Sequence, residues 1–129
     1  MAAVIEREGK VLIARRRQET GYGGFWEFPG GRLEKGETPE NAVAREIAEE
    51  LGVRIRVGGL LRAVNYQSQN LSIELLAYRA SIVSGELKLT DHDEIRWVIP
   101  SELEEAEFTE PDRPVVRLMA AKSERPWKA

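Results

Sequence analysis

Gly31 to Val53 reads GRLEKGETPENAVAREIAEELGV, and the rest of the chain is organised around this stretch. Its second half carries the start and stop of one helix. Thr38 is an N-cap residue, Pro39 suits the first helical position, and Gly52 follows the last turn as the stop. Val43, Ile47 and Leu51 recur every fourth residue, with Ala44 and Ala48 beside them, and predict a stripe that packs on a sheet. Glu46, Glu49 and Glu50 lie on another face. At about 100° per residue they fall within an arc of roughly 100°, so their oxygens can converge on one point.

Such a cluster is costly without a reason. Glu46 and Glu50 are like charges four residues apart, and Glu49 crowds both. The nearby cation is Arg45, one turn before Glu49. A solvated acidic face is one reading; the other is a site for a hard divalent cation, which turns repulsion into coordination. Mg²⁺ takes oxygen ligands and works where substrate phosphates complete its shell, and Mn²⁺ can stand in for it.

The surrounding pattern favours the second reading. Gly31, five residues, Glu37, seven residues, Arg45-Glu46-Ile47, one residue, Glu49-Glu50, one residue, Gly52-Val53 resembles the signature of the Nudix hydrolases at every defined position. The flanking GFWEFPGG and the terminal EPDRPVVRLM resemble the MutT-like branch, so the likeness runs nearly end to end. The resemblance implies an α/β (α+β) fold: an α/β/α sandwich with a mixed sheet between helices. It also implies that Glu46, Glu49 and Glu50 are metal ligands joined by the Gly30 carbonyl. Gly31, Glu37 and Gly52 are then structural members of the motif. Arg45 orients carboxylates rather than binding metal, because a guanidinium only donates.

Length and composition set the bounds. The 129 residues suit one domain spanning 1–129. Hydrophobic content of 42% and charged content of 32% are those of an ordinary globular protein, and no apolar run approaches the roughly 18 residues that span a membrane. There is no cysteine, which excludes disulfides and fits a cytoplasmic protein, and a single histidine rules out a His-rich metal site. A net charge of −3 argues against binding long nucleic acids through the overall field. The resemblance implies a nucleotide as partner and a monomer or homodimer as the working form. The first strand begins almost at Met1, which raises the expectation of a truncated or late start.

Taken in order, Met1 to Glu6 and Lys10 to Arg16 read as strands joined at Glu8-Gly9, with the imperfect alternation of strands covered on both sides. Arg15, Arg16 and Arg17 end the second strand. Alternation turns Arg16 away from its neighbours, and the resemblance favours Arg16 as a phosphate or base anchor. A glycine-rich loop, Gln18 to Gly24, leads into Trp26-Glu27-Phe28-Pro29-Gly30-Gly31. Trp26 reads as core, and Phe28, by resemblance, as the wall of a base pocket. Glu37 is placed to bond back to its loop or to Arg45.

Val53 to Tyr66 and Leu71 to Val83 read as two long strands, with Gln67 to Asn70 as their turn and Ser84-Gly85-Glu86 as the next. Glu74 is either an outward residue or part of the substrate wall. Asp91-His92-Asp93-Glu94 reads as a loop before the strand Ile95 to Ile99. Relatives more often carry, at the place of Asp91, a glutamate that binds metal or a metal-bound water, and aspartate is one methylene shorter. His92 reads as an incidental loop residue. Pro100 to Leu103 opens a helical turn, and Pro111 to Ala121 reads as the closing helix. Asp112 is either an N-cap or, by resemblance, a reader of the base edge. As an acceptor it suits the N1–H and amine of a guanine-like edge or the amine of cytosine. Phe108 reads as core.

By resemblance, the reaction is attack of water on a nucleoside triphosphate, releasing monophosphate and pyrophosphate, with Glu46, Glu49 or Asp91 as general base. Ser68 to Leu71 lack the proline or tyrosine of ADP-ribose and dinucleotide enzymes. The first expected substrate is 8-oxo-dGTP, with CTP, dCTP or a modified dCTP as the competitor. A catalytically weak nucleotide-sensing module is the reading from another class.

Overall fold

A computed structural model describes residues 1–124. The strands are β1 (Ala2–Arg7), β2 (Lys10–Arg16), β3 (Trp26–Glu27), β4 (Val53–Ser68), β5 (Leu71–Gly85) and β6 (His92–Val98), and the helices are α1 (Pro39–Leu51) and α2 (Arg113–Glu124). They form a six-stranded mixed sheet in the order β3-β2-β1-β5-β4, with β6 paired to β2. β1 lies parallel to β5 and antiparallel to β2. The turn between β1 and β2 puts Glu8 at φ 53° and Gly9 at φ 80°, the paired left-handed geometry of a two-residue hairpin loop.

Alternation explains why β1 and β2 look apolar throughout. Ala2, Val4, Val11 and Ile13 pack with Val115, Val116 and Met119 of α2. Ala3, Ile5 and Leu12 point the other way and pack with Val43, Ile47 and Leu51 of α1. Both faces are therefore dry, and the architecture is the expected mixed sheet between helices. The three stripe residues of α1 are fully buried, each stabilising the fold by about 1.5 to 3 kcal/mol.

The ends of α1 are set by the expected residues. The Thr38 side chain accepts from Asn41 N, Pro39 opens the helix, and Gly52 at φ 72° bonds through its N–H to Ala48 O. The stripe differs in one detail: Ala42 is buried and Ala48 is exposed, because the sheet meets α1 on the side of Ala42 and Val43.

Several elements depart from expectation. β4 runs to Ser68 and β5 to Gly85, so Gln67, Ser68, Ser84 and Gly85 are paired strand residues rather than turn residues. The short β3 forms where Trp26 and Glu27 pair with Arg15 and Ala14. β6 begins at His92, so Asp93 and Glu94 are strand rather than loop residues, held by pairing with β2. A 3₁₀ turn at Glu110–Asp112 precedes α2, which starts at Arg113 rather than Pro111.

Candidate active site

Arg45, midway along α1, is the hub of the site. Its Nε donates to Glu37 Oε2 at 2.7 Å and its Nη2 to Glu37 Oε1 at 3.1 Å. Its Nη1 reaches Glu46 Oε2 and Glu49 Oε1, both at 3.2 Å, and Nη2 also donates to Arg32 O. Glu37 performs both of its expected bonds, since Oε1 also accepts from Glu34 N at 2.9 Å. The Arg45 guanidinium, helped by that backbone bond, holds the Glu37 carboxyl below the usual carboxylate range. The loop Gly31 to Thr38 is thereby tied to the acidic face of the helix.

The three helix carboxylates occupy different environments. Glu49 is 60% exposed, whereas the Glu46 side chain is 18% exposed and lies on the Gly31 backbone. A β-carbon at residue 31 would stand 2.2 Å from the Glu46 carboxyl carbon, so only glycine leaves that seat open. Glu50 is buried, with Oε1 lacking a protein partner. Burial pushes its carboxyl up to about 8, and the charges of Glu46, Glu27 and Asp91 add to the rise, while a Gly30 backbone hydrogen bond opposes it. Among the described residues no three acidic or imidazole side chains are gathered into a ready coordination shell. Arg45 draws Glu46 and Glu49 outward, and Glu50 turns inward.

A second cluster stands beside the first. Arg16 donates from Nη1 to Glu27 Oε1 at 3.1 Å and from Nε to Gly21 O. Glu27 Oε2 meets His92 Nε2 at 2.8 Å, and His92 is 2% exposed. Arg15 turns instead to Asp93 and Glu94, and Arg17 to Thr90 O, so the arginine run divides as strand alternation requires. Glu27 is not among the residues that sequence reasoning singles out, although it leaves a signal. Trp26 and Phe28 are buried under α2, so alternation must turn Glu27 to the face that α1 covers. Asp91 is exposed just before β6, where its charge bears on Glu50.

The residues expected at the base lie on the α2 side. Phe28 is 3% exposed and packs at 5.4 Å between ring centroids against Phe108, so both aromatics are core. Asp112 is 5% exposed and its Oδ2 accepts from Phe28 N at 2.9 Å. Burial pushes the Asp112 carboxyl up to about 7, against the Phe28 bond that favours its charge; the charge of Glu27 raises it further. Glu27 thus acts electrostatically on both Glu50 and Asp112.

Comparison with known proteins joins this geometry to a family. The NUDIX domain matches residues 1–119, which includes both acidic clusters and the Phe28–Asp112 contact. The chain belongs to the Nudix family. It is a Nudix hydrolase, and the seat of Glu46 on Gly31 and the Glu37–Arg45 fork are formed by residues of its signature. Among its relatives is the CTP pyrophosphohydrolase of Escherichia coli K12, 33% identical over 98% of this chain and 94% of that protein. A putative 8-oxo-dGTP diphosphatase 2 of Mycobacterium tuberculosis is 37% identical over 88% of this chain and 81% of its own length. The solution structure of the E. coli ORF135 protein superposes with a TM-score of 0.80 at 31% identity, covering 98% of this chain and 91% of that one. Among the described residues no helix is long and apolar enough to cross a membrane.

Proposed function

We propose that this Nudix hydrolase is a Mg²⁺-dependent nucleoside triphosphate pyrophosphohydrolase, with Mn²⁺ as a substitute metal. The observation that carries the reading is Glu50. A buried carboxyl oxygen with no protein partner, pressed by Glu46, Glu27 and Asp91, is an open ligand that a hard cation would fill. Glu46, Glu49, Glu50 and the Gly30 carbonyl would hold it, with Asp91 at the rim. When bound, the metal supplies positive charge to the triphosphate and to the oxygens exchanged at phosphorus.

The chain's own residues do the rest. Arg45 releases Glu46 and Glu49 from mutual repulsion and fixes their directions. Arg16, one-third exposed and already turned to the acidic face, offers a guanidinium to phosphate. Glu46, Glu49 or Asp91 takes the proton of the attacking water. On the base side Asp112 is the acceptor for an amine or ring N–H, with the buried Phe28–Phe108 pair packed behind it.

The first substrate is 8-oxo-dGTP, because relatives named for that activity match most of the chain. A cytidine triphosphate is the second reading, supported by the end-to-end match to a CTP pyrophosphohydrolase. A cytoplasmic protein acting as monomer or homodimer on a free nucleotide fits either substrate. Pyrophosphate release with Mg²⁺ should be measured for 8-oxo-dGTP, dGTP, CTP, dCTP, 5-methyl-dCTP and ADP-ribose. A lead in kcat/KM for 8-oxo-dGTP supports a role in nucleotide-pool sanitation, and a lead for cytidine moves the enzyme to pyrimidine nucleotides. Glu49→Gln should abolish turnover with the fold intact; unchanged turnover would overturn the metal-site reading.

A further inference from the structure

His92 is the chain's one histidine, and the structure gives it a place that an incidental loop residue does not need. It opens β6, is 2% exposed, and faces Arg16 across a strand pair whose register shifts between Arg15 and Arg16. Its Nε2 meets Glu27 Oε2 at 2.8 Å. A carboxylate only accepts, so Nε2 carries the hydrogen and donates it. Glu27 Oε1 is taken by Arg16, whose Nε is spent on Gly21 O. The chain of bonds therefore runs from β6, through the β3 carboxylate, to the arginine of β2 and the loop after it. Asp91 directly precedes His92 in sequence. Glu27 also bears electrostatically on Glu50, so its carboxylate faces the helix cluster.

We propose that His92 is a positioning residue of the hydrolytic site, holding the Glu27 carboxylate so that Arg16 and the Asp91 backbone stay fixed relative to Glu46 and Glu50. The inference rests on the hydrolytic reading above. A buried imidazole fits this task because its ring is rigid and its single donor is aimed by packing, whereas the Glu27 side chain alone has three freely turning bonds. Loss of the donor frees Glu27 to swing toward Arg16 alone, and the two elements lose their common anchor. Binding of the nucleotide needs Arg16 and the base side, which remain; the chemical step needs the relative placement, which does not.

The test uses the whole chain and the best triphosphate of the substrate panel. His92→Leu keeps the burial and removes the donor, His92→Gln keeps an N–H near Nε2, and Glu27→Gln changes the acceptor. His92→Leu is expected to lower kcat by about ten- to a hundredfold while KM moves by less than about threefold, and His92→Gln to recover most of the loss. The double variant His92→Leu/Glu27→Gln should fall no further than the worse single variant, the mark of residues acting through one another. A kcat for His92→Leu within about twofold of wild type, a His92→Gln as poor as His92→Leu, or additive losses would each overturn the inference. Thermal unfolding checks each variant, and if His92→Leu fails to fold, His92→Gln and Glu27→Gln decide in the same terms. Wild-type turnover lost in Glu49→Gln secures the underlying reading. Wild-type silence overturns both, while turnover indifferent to His92 overturns only this inference.

Discussion

The carboxylate of Glu46 rests against the backbone of Gly31, where a β-carbon would stand 2.4 and 2.5 Å from its two oxygens. The atoms that would clash are the far end of a flexible side chain rather than backbone, so the fold can absorb the intrusion but the carboxylate cannot stay.

Gly31→Ala should therefore separate stability from chemistry. Displacing Glu46 by about an ångström is expected to lower kcat/KM roughly a hundredfold, with the melting temperature nearly unchanged. Steady-state pyrophosphate release beside a thermal melt checks this, and a fully active Gly31→Ala would remove Glu46 from the reacting geometry.

Arg45→Lys tests the guanidinium fork. One ammonium cannot donate at once to both Glu37 oxygens, to Glu46, to Glu49 and to Arg32 O, so at least two of these bonds are lost. The expected outcome is a fall in kcat of about ten- to a hundredfold together with a lower melting temperature. A conservative charge swap that preserves kcat would show that charge alone, and not the fork, sets the carboxylates.

Glu50 makes stability depend on pH in the metal-free protein. Its carboxyl titrates near 8 when folded against 4.5 ordinarily, so the folded state holds a proton that the unfolded chain gives up. The stability from that proton is complete below about 4.5 and is lost as pH rises through about 8. Denaturant unfolding in chelator should show it. Wild type loses on the order of a few kcal/mol over this window, and Glu50→Gln loses less and is the more stable protein at pH 8. Asp112, titrating near 7, contributes the slope that remains in that variant. Equal slopes in both proteins would contradict the buried, like-charged placement of Glu50.

Much of α1 is legible in the amino-acid order, because its signals are local. Thr38, Pro39 and Gly52 act within one turn of the helix ends they define, and Val43, Ile47 and Leu51 need only the helical period to share a face. β2 matches its expected bounds for a similar reason: a short apolar run between a turn and three arginines leaves little choice. His92 reads as a loop residue because nothing local marks it as strand. Its conformation comes from pairing with Arg16, far earlier in the chain.

Covalent order and a fixed rise per residue are enough to settle which side chains this protein has for its chemistry and that Glu46, Glu49 and Glu50 share one helix face. They leave the Arg45–Glu37 partnership as one of two options, and the fold realises both together. Packing in three dimensions is what makes the three carboxylates part company: Glu49 in water, Glu46 on Gly31, and Glu50 buried near Gly30 and Glu27. The same packing recruits Glu27 and His92. The reason is physical: burial and long-range contact belong to the packed sheet, and a carboxylate's dielectric surroundings and neighbours are written nowhere in its own stretch of chain.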